Sequence, residues 1–309
     1  MNSSEITKGE IITGEIITGE IITGEIITGE KIQEIADIYI GTPGKLISNP
    51  RIRFQYGKHV PISLIQSEFD NPPIIFFYSD EVEMIANIIQ YFINPVVLIS
   101  HNSDQNILET PSSFKILENK KVVKWYSQNV CFYHPKLEMV PIGFANSMWA
   151  HGNISVFENP QFVEEIKKNI EDKPNHIFFN FNIHTNRSIR QPCYDSLKKT
   201  IPFLQNIDPA ENLKRLSKYK YCISPEGNGV DCHRLWEALY LKVVPIVLDS
   251  PFIRILLKYK IPLIILNEWR EIEELDTKLD YNTYDFSVME SEFRFSKIVD
   301  KIKSEKIEI

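Results

Sequence analysis

Residues 219–249, YKYCISPEGNGVDCHRLWEALYLKVVPIVLD, constrain the fold more than any other stretch of the chain. An apolar run ends at Pro225, a Gly-containing loop follows, an amphipathic stretch reads as a helix, and VVPIVL reads as a second buried strand. The loop–helix junction concentrates Glu226, Asp231, His233, Arg234 and Glu237. Gly227 and Gly229 allow positive φ and close approach of backbone to a ligand, and Asn228 lies between them. Such a loop presents N–H groups to a phosphate or a nucleobase edge. Asp231 is placed to cap the helix. Arg234 in the first turn suits a diphosphate and Glu237, one turn on, a ribose diol, a pattern expected of half of a nucleotide-sugar site. The same residues also suit a tight capped turn with an i,i+3 ion pair. Trp236 reads as core.

The rest of the chain alternates strand and helix. PPIIFFYSD (72–80) and NPVVLISHNSD (94–104) read as buried strands with polar tips, and 81–92 as a helix between them. KVVKWYSQNV (121–130) reads as a short helix leading into a strand, MVPIGFAN (139–146) as strand and turn, 157–169 as a helix and 172–175 as a polar linker. A second unit opens with HIFFNFNIHTN (176–186), strand then loop. Helices follow over 188–200, starting late because of Pro192, and over 209–218; 251–258 is a further helix, 261–266 a strand and 287–309 a charged amphipathic helix. Strands apolar almost throughout imply parallel sheets covered on both faces. The expected architecture is α/β: two Rossmann-like domains, 32–172 and 173–309, facing across a cleft, with ligands beyond the carboxyl ends of the strands.

Residues 9–28 are four copies of GEIIT, with Gly29 and Glu30 starting a fifth. A period of five matches neither strand nor helix, so no fixed apolar face forms. Residues 1–31 are expected to be a low-complexity tail without a catalytic role.

Three further clusters follow strands. In FNFNIHTNRSIR (179–190), Arg187 and Arg190 suit bidentate contact with a diphosphate, and Asn182, Thr185 and Asn186 can donate hydrogen bonds. In SHNSD (100–104), Asp104 is the leading candidate to take a proton from an acceptor hydroxyl, with His101 the alternative and Asp80 a third; an Asx-type turn fits the same residues. In PIGFANSMWAHGN (141–153), Asn146, Trp149 and His151 suit an acceptor sugar, although Trp149 also suits packing between units.

Exclusions narrow the function. With 34 basic and 41 acidic residues the net charge is −7, which argues against a general nucleic-acid binder. Cys131, Cys193, Cys222 and Cys232 have no CxxC spacing, and Cys222 reads as a buried free thiol in a reducing compartment. There is no secretory-type leader and no apolar run of about 18 residues, so no membrane span and a cytoplasmic location are expected. Walker, GxSxG, HExxH and DxD patterns are absent, and a metal-independent site without a cofactor follows as the expectation.

The run SPEGNGVDCHRLWEALYLKVVPIV resembles the donor-site signature of exostosin-like glycosyltransferases of the GT-B fold, and fucosyltransferases of that fold show a similar strand, Glu-Asn loop, helix and Pro-Ile/Val-Val strand. LISHNSD, KWYSQNV, PIGFANSMWAHGN and NFNIHTNRSIR are similar to stretches in glycosyltransferase-like proteins of bacteria and large DNA viruses, and the GEIIT array and Ile/Lys-rich composition resemble proteins of AT-rich viral genomes. The resemblance covers roughly residues 70–250. It implies transfer of a sugar from a UDP- or GDP-linked donor to a hydroxyl of a glycan or glycoprotein, in the host cytoplasm if the source is viral. Glu237 would bind ribose, Arg234 would lie near the diphosphate, and Glu226–Gly229 would line the donor pocket. A non-catalytic nucleotide- or glycan-binding module of the same fold is the alternative. Leu241-Lys242-Val243 departs from the family's frequent Gly before the last strand.

Overall fold

A computed structural model describes residues 25–45, 54–56, 71–275 and 279–306. Its strands form two all-parallel sheets. The first contains β1 (Ile38–Ile40), β2 (Phe54–Tyr56), β3 (Ile74–Tyr78), β4 (Val96–His101), β5 (Val122–Ser127) and β6 (Leu137–Met139), in the spatial order β2-β1-β3-β4-β5-β6. The second contains β7 (Asn175–Phe178), β8 (Tyr219–Ile223), β9 (Val244–Leu248) and β10 (Ile264–Leu266), in the order β10-β9-β8-β7. The helices are α1 (Gly29–Glu34), α2 (Val82–Ile88), α3 (Pro111–Leu117), α4 (Pro160–Glu171), α5 (Arg187–Leu197), α6 (Pro209–Ser217), α7 (His233–Tyr240), α8 (Pro251–Leu257), α9 (Ile272–Leu275), α10 (Ser287–Ser291) and α11 (Phe295–Ser304).

Both faces of both sheets are covered, as near-continuous apolar strands require. On the first sheet, Tyr39, Phe76 and Val97 pack with Ile32 of α1 and with Ile298 and Ile302 of α11. Its other face, through Ile40, Phe77 and Leu98, joins a cluster that also holds Leu235, Trp236 and Leu239 of α7 and Phe252 of α8. That cluster therefore runs from one sheet to the helices of the other. The two units share core, and they are not separate hydrophobic bodies. On the second sheet, Tyr221 and Ile246 pack with Cys193 and Leu197 of α5 on one side. Phe178 and Cys222 pack with Phe162 and Ile166 of α4 on the other.

Several local expectations change. The stretch 121–130 holds no helix: β5 pairs with β4 and β6, and the buried Trp125 donates through Nε1 to Ser100 Oγ at 2.8 Å. Pro192 lies inside α5 and does not delay its start. Burial of Arg190, Cys193 and Leu197 holds the helix together despite one lost backbone bond. The stretch 172–175 is no free linker, because Lys173 is buried and its ammonium donates to Ser217 O at 2.8 Å and Leu241 O at 2.9 Å. The C-terminal helix is broken where Phe293 turns into the core, and α11 then packs on the first sheet although it follows the second.

The repeat array also departs from expectation at its end. Residues 1–24 lie outside the described residues, but Ile26, Ile27 and Thr28 are buried. Thr28 Oγ1 caps α1 by accepting from Lys31 N, and Phe144 N donates to Ile27 O at 2.9 Å. Gly143, at φ 65°, is needed there because a Cβ would lie 2.2 Å from Ile27 O. Residues 25–28 of the last GEIIT copy are thus part of the fold.

Candidate functional site

Loops at the carboxyl ends of strands from both sheets enclose a cavity of about 570 Å³. Asp104, Ile142, Trp149 and His151 line it from the first unit. The second unit contributes Asn182, Thr185, Arg190, Gly227, Asn228, Gly229, Asp231, His233, Arg234 and Glu237.

Both arginines are held by the protein's own groups. Arg190 is buried on α5; its Nε donates to Glu226 O and its Nη1 to Asn182 O, both at 2.9 Å. One side chain thereby ties the loop after β7 to the loop after β8. Arg234, on the first turn of α7, donates from Nε to Glu237 Oε2 at 3.0 Å and from Nη1 to Asn180 O at 2.8 Å. Burial works against its charge, but Glu237, with Cys222 and Cys232, together outweigh that and leave the guanidinium above its ordinary value. The i,i+3 ion pair and the cavity-facing placement expected for Arg234 and Glu237 therefore coexist. No side chain caps α7.

Asp231 does something other than the expected capping. Cys232 occupies the cap position, and Asp231 is buried. Asp231 Oδ1 accepts from Trp236 Nε1 at 2.6 Å, and Oδ2 accepts from Ile142 N at 2.8 Å. Its own N–H donates to Asn129 Oδ1 at 2.9 Å. These bonds join the two units behind the cavity. Burial pushes its carboxyl up to about 7, against the two donors. The positive φ expected of the loop glycines is not found. Neither Gly227 nor Gly229 has positive φ. Gly229 instead allows close approach of the first unit, since a Cβ would sit 2.9 Å from Asn129 Oδ1 and 3.2 Å from Asp104 O.

Six expected site residues lie off the cavity. His101 is fully buried at the end of β4, with Nε2 3.0 Å from Pro141 O and Nδ1 3.0 Å from Asn102 Oδ1, so neither nitrogen is left for a substrate. Asn146 turns to the repeat end, where its Oδ1 accepts from Glu30 N at 2.9 Å. Arg187, the first residue of α5, points to solvent. The Glu226 side chain bonds Ser250, and burial raises its carboxyl. Asp80, the third base candidate, pairs with Lys45. Asn186 supports the site indirectly by donating to Gly227 O at 2.6 Å.

Sequence reading also missed part of the wall. Asn180, Phe181, Asn206, Ile207, Pro209, Asn212, Leu213 and Cys232 line the cavity. Asn180 Nδ2 donates to Asn206 Oδ1 at 2.9 Å, and Asn212 Oδ1 accepts from Arg215 Nη2 at 2.7 Å. The segment 206–213 carries no strand-end signature, so only the chain's path brings it here.

His233 faces the cavity with its Nδ1 2.8 Å from Gly143 O. Asp104 and His151 are exposed, and the rings of His151 and His233 lie edge to face at 6.0 Å between centroids. Among the described residues no three His, Cys, Asp or Glu side chains cluster to hold a metal ion, and no helix is long and apolar enough to cross a membrane. No family model matches the sequence, and no curated protein matches it significantly.

Proposed function

We propose that the chain is a glycosyltransferase of the GT-B type, moving a sugar from a UDP- or GDP-linked donor to a hydroxyl of a glycan or glycoprotein. The observation that carries this reading is the convergence of Arg190, Arg234 and Glu237 on one wall with Asp104, Trp149 and His151 on the other, around a cavity large enough for a nucleotide. The two units correspond in this reading to the facing domains of that fold, and the cavity to the cleft between them.

The second-unit wall takes the donor. Arg190 and Arg234, with the first amides of α7, neutralise the charge that grows on the departing diphosphate. Glu237 Oε2 is engaged by Arg234, which leaves Oε1 for the ribose diol. The first-unit wall takes the acceptor: Trp149 offers a ring face and His151 a hydrogen bond, while Asp104 supplies a carboxylate next to the incoming hydroxyl. The arginines make a metal unnecessary in this scheme, and the setting is the cytoplasm, that of a host cell if the source is viral.

A panel of UDP- and GDP-sugars tests the reading by calorimetry and by release of free nucleotide. Saturable binding and turnover are expected from the wild type. Arg234→Ala should weaken nucleotide binding by about 100-fold, as expected for loss of a charge-assisted contact together with release of Glu237. Binding without hydrolysis or transfer would instead favour a non-catalytic nucleotide- or glycan-binding module.

A further inference from the structure

We infer that His233, and not Asp104, takes the proton from the acceptor hydroxyl. This inference rests on the glycosyl-transfer reading and assigns one step within it. The geometry is specific to this side chain. A backbone carbonyl can only accept, so the 2.8 Å contact with Gly143 O requires Nδ1 to carry the ring proton. Nε2 is then an unprotonated acceptor in the neutral ring. Among the described residues Nε2 has no hydrogen-bond partner, and the ring lines the cavity. Gly143 is itself fixed, because its positive φ and the contact with Ile27 leave its peptide little room. Asp104 has no comparable support: its side chain is exposed and makes no hydrogen bond among the described residues.

The surroundings keep the ring neutral yet able to take charge. Burial lowers its proton affinity first, and the Gly143 carbonyl, Glu237 and Asp104 oppose that, while His151 adds to it. The charged and titratable neighbours are thus Glu237 and Arg234 on its own helix, His151 after β6, and Asp104 and His101 at the end of β4. Asp104 on this account steadies the imidazolium once it forms.

In the step itself the acceptor O–H proton passes to Nε2, and the freed oxygen pair forms the new bond to the sugar's anomeric carbon. The bond from that carbon to the diphosphate oxygen breaks, and its electron pair leaves with the nucleoside diphosphate. The imidazolium then returns its proton to solvent. Attack opposite the leaving group inverts the anomeric configuration.

His233→Asn is the informative variant, because its amide nitrogen can keep the bond to Gly143 O while Nε2 is lost. With the donor sugar that the wild type uses, kcat should fall about 10²- to 10⁴-fold. Affinity for the free nucleotide should stay within about threefold, and the acid limb of the pH–rate profile should disappear. Asp104→Asn should cost about tenfold and keep that limb. A His233→Asn enzyme within about tenfold of wild type, with its acid limb intact, overturns the assignment. Nitrogen NMR of the wild-type imidazole is independent of turnover and of variant folding. Protonated Nδ1 and bare Nε2 support the assignment, whereas protonated Nε2 overturns it. If the tautomer is as stated but the wild type turns over no UDP- or GDP-sugar, the glycosyl-transfer reading itself has failed, and the base role with it.

Discussion

The two walls of the cavity are held in opposite ways. On the second unit, Arg190 and Arg234 are fastened to the carbonyls of Asn182, Glu226 and Asn180, at distances of 2.8–2.9 Å. On the first unit, Asp104, His151 and Trp149 stand in solvent, Trp149 with 55% of its surface exposed. A wall fixed in advance loses little freedom when it meets a rigid, charged partner, and it stabilises charge without reorganising. Exposed side chains can adapt to partners of varied shape. Under the proposed function, this contrast suits a constant nucleoside diphosphate on the second unit and a variable acceptor on the first.

The sharpest way to break this contrast is Arg190→Ala. It removes two charge-assisted bonds that join separate loops and leaves two carbonyls unpaired, so a stability loss of about 3 kcal/mol is expected from chemical denaturation. A loss below about 1 kcal/mol would mean that this wall is no more rigid than its opposite.

A smaller effect is expected at Asp231. Asp231→Asn puts an amide N–H₂ against a donor, either Ile142 N or Trp236 Nε1, and should cost about 2 kcal/mol. The wild type should also show a pH signature. Its folded value of about 7 exceeds the unfolded value of about 3.9, so the folded state binds the extra proton between them. The stabilisation is complete below about pH 4 and is lost as pH rises through about 7. Denaturant midpoints across that window should fall with pH in the wild type and stay flatter in Asp231→Asn. Parallel curves would exclude Asp231 as the group responsible.

Trp149→Ala should produce the smallest change, under about 0.5 kcal/mol in stability, because the ring is mostly in water. Its effect should appear in KM for the acceptor and leave nucleotide affinity alone. A nucleotide affinity that follows Trp149 would dissolve the division between the walls.

Where sequence reading succeeded and failed has a physical basis. Continuous apolar runs such as IIFFY and VVLIS announce buried parallel strands, because both of their faces are covered; β3 and β4 lie where the runs predict. Arg234, Glu237, Asp104 and Trp149 were legible as cavity residues because each follows a strand. The failures have tertiary causes. Gly229 is set by Asn129 and Asp104 of the other unit, and Asp231 by Trp236 and Ile142, none of which sequence spacing reveals. Asn206 and Asn212 reach the wall only through the path between α5 and α6. The last GEIIT copy looks like its predecessors, yet Ile27 is fixed by Phe144 and Gly143 far along the chain.

In the proposed function the second-unit wall grips a nucleoside diphosphate. Crystals soaked with UDP and with GDP test it most directly. Difference density for the diphosphate is expected against Arg190, Arg234 and the start of α7, with the ribose on Glu237. Density for either nucleotide elsewhere, or against the Trp149 wall with the arginines untouched, would contradict it.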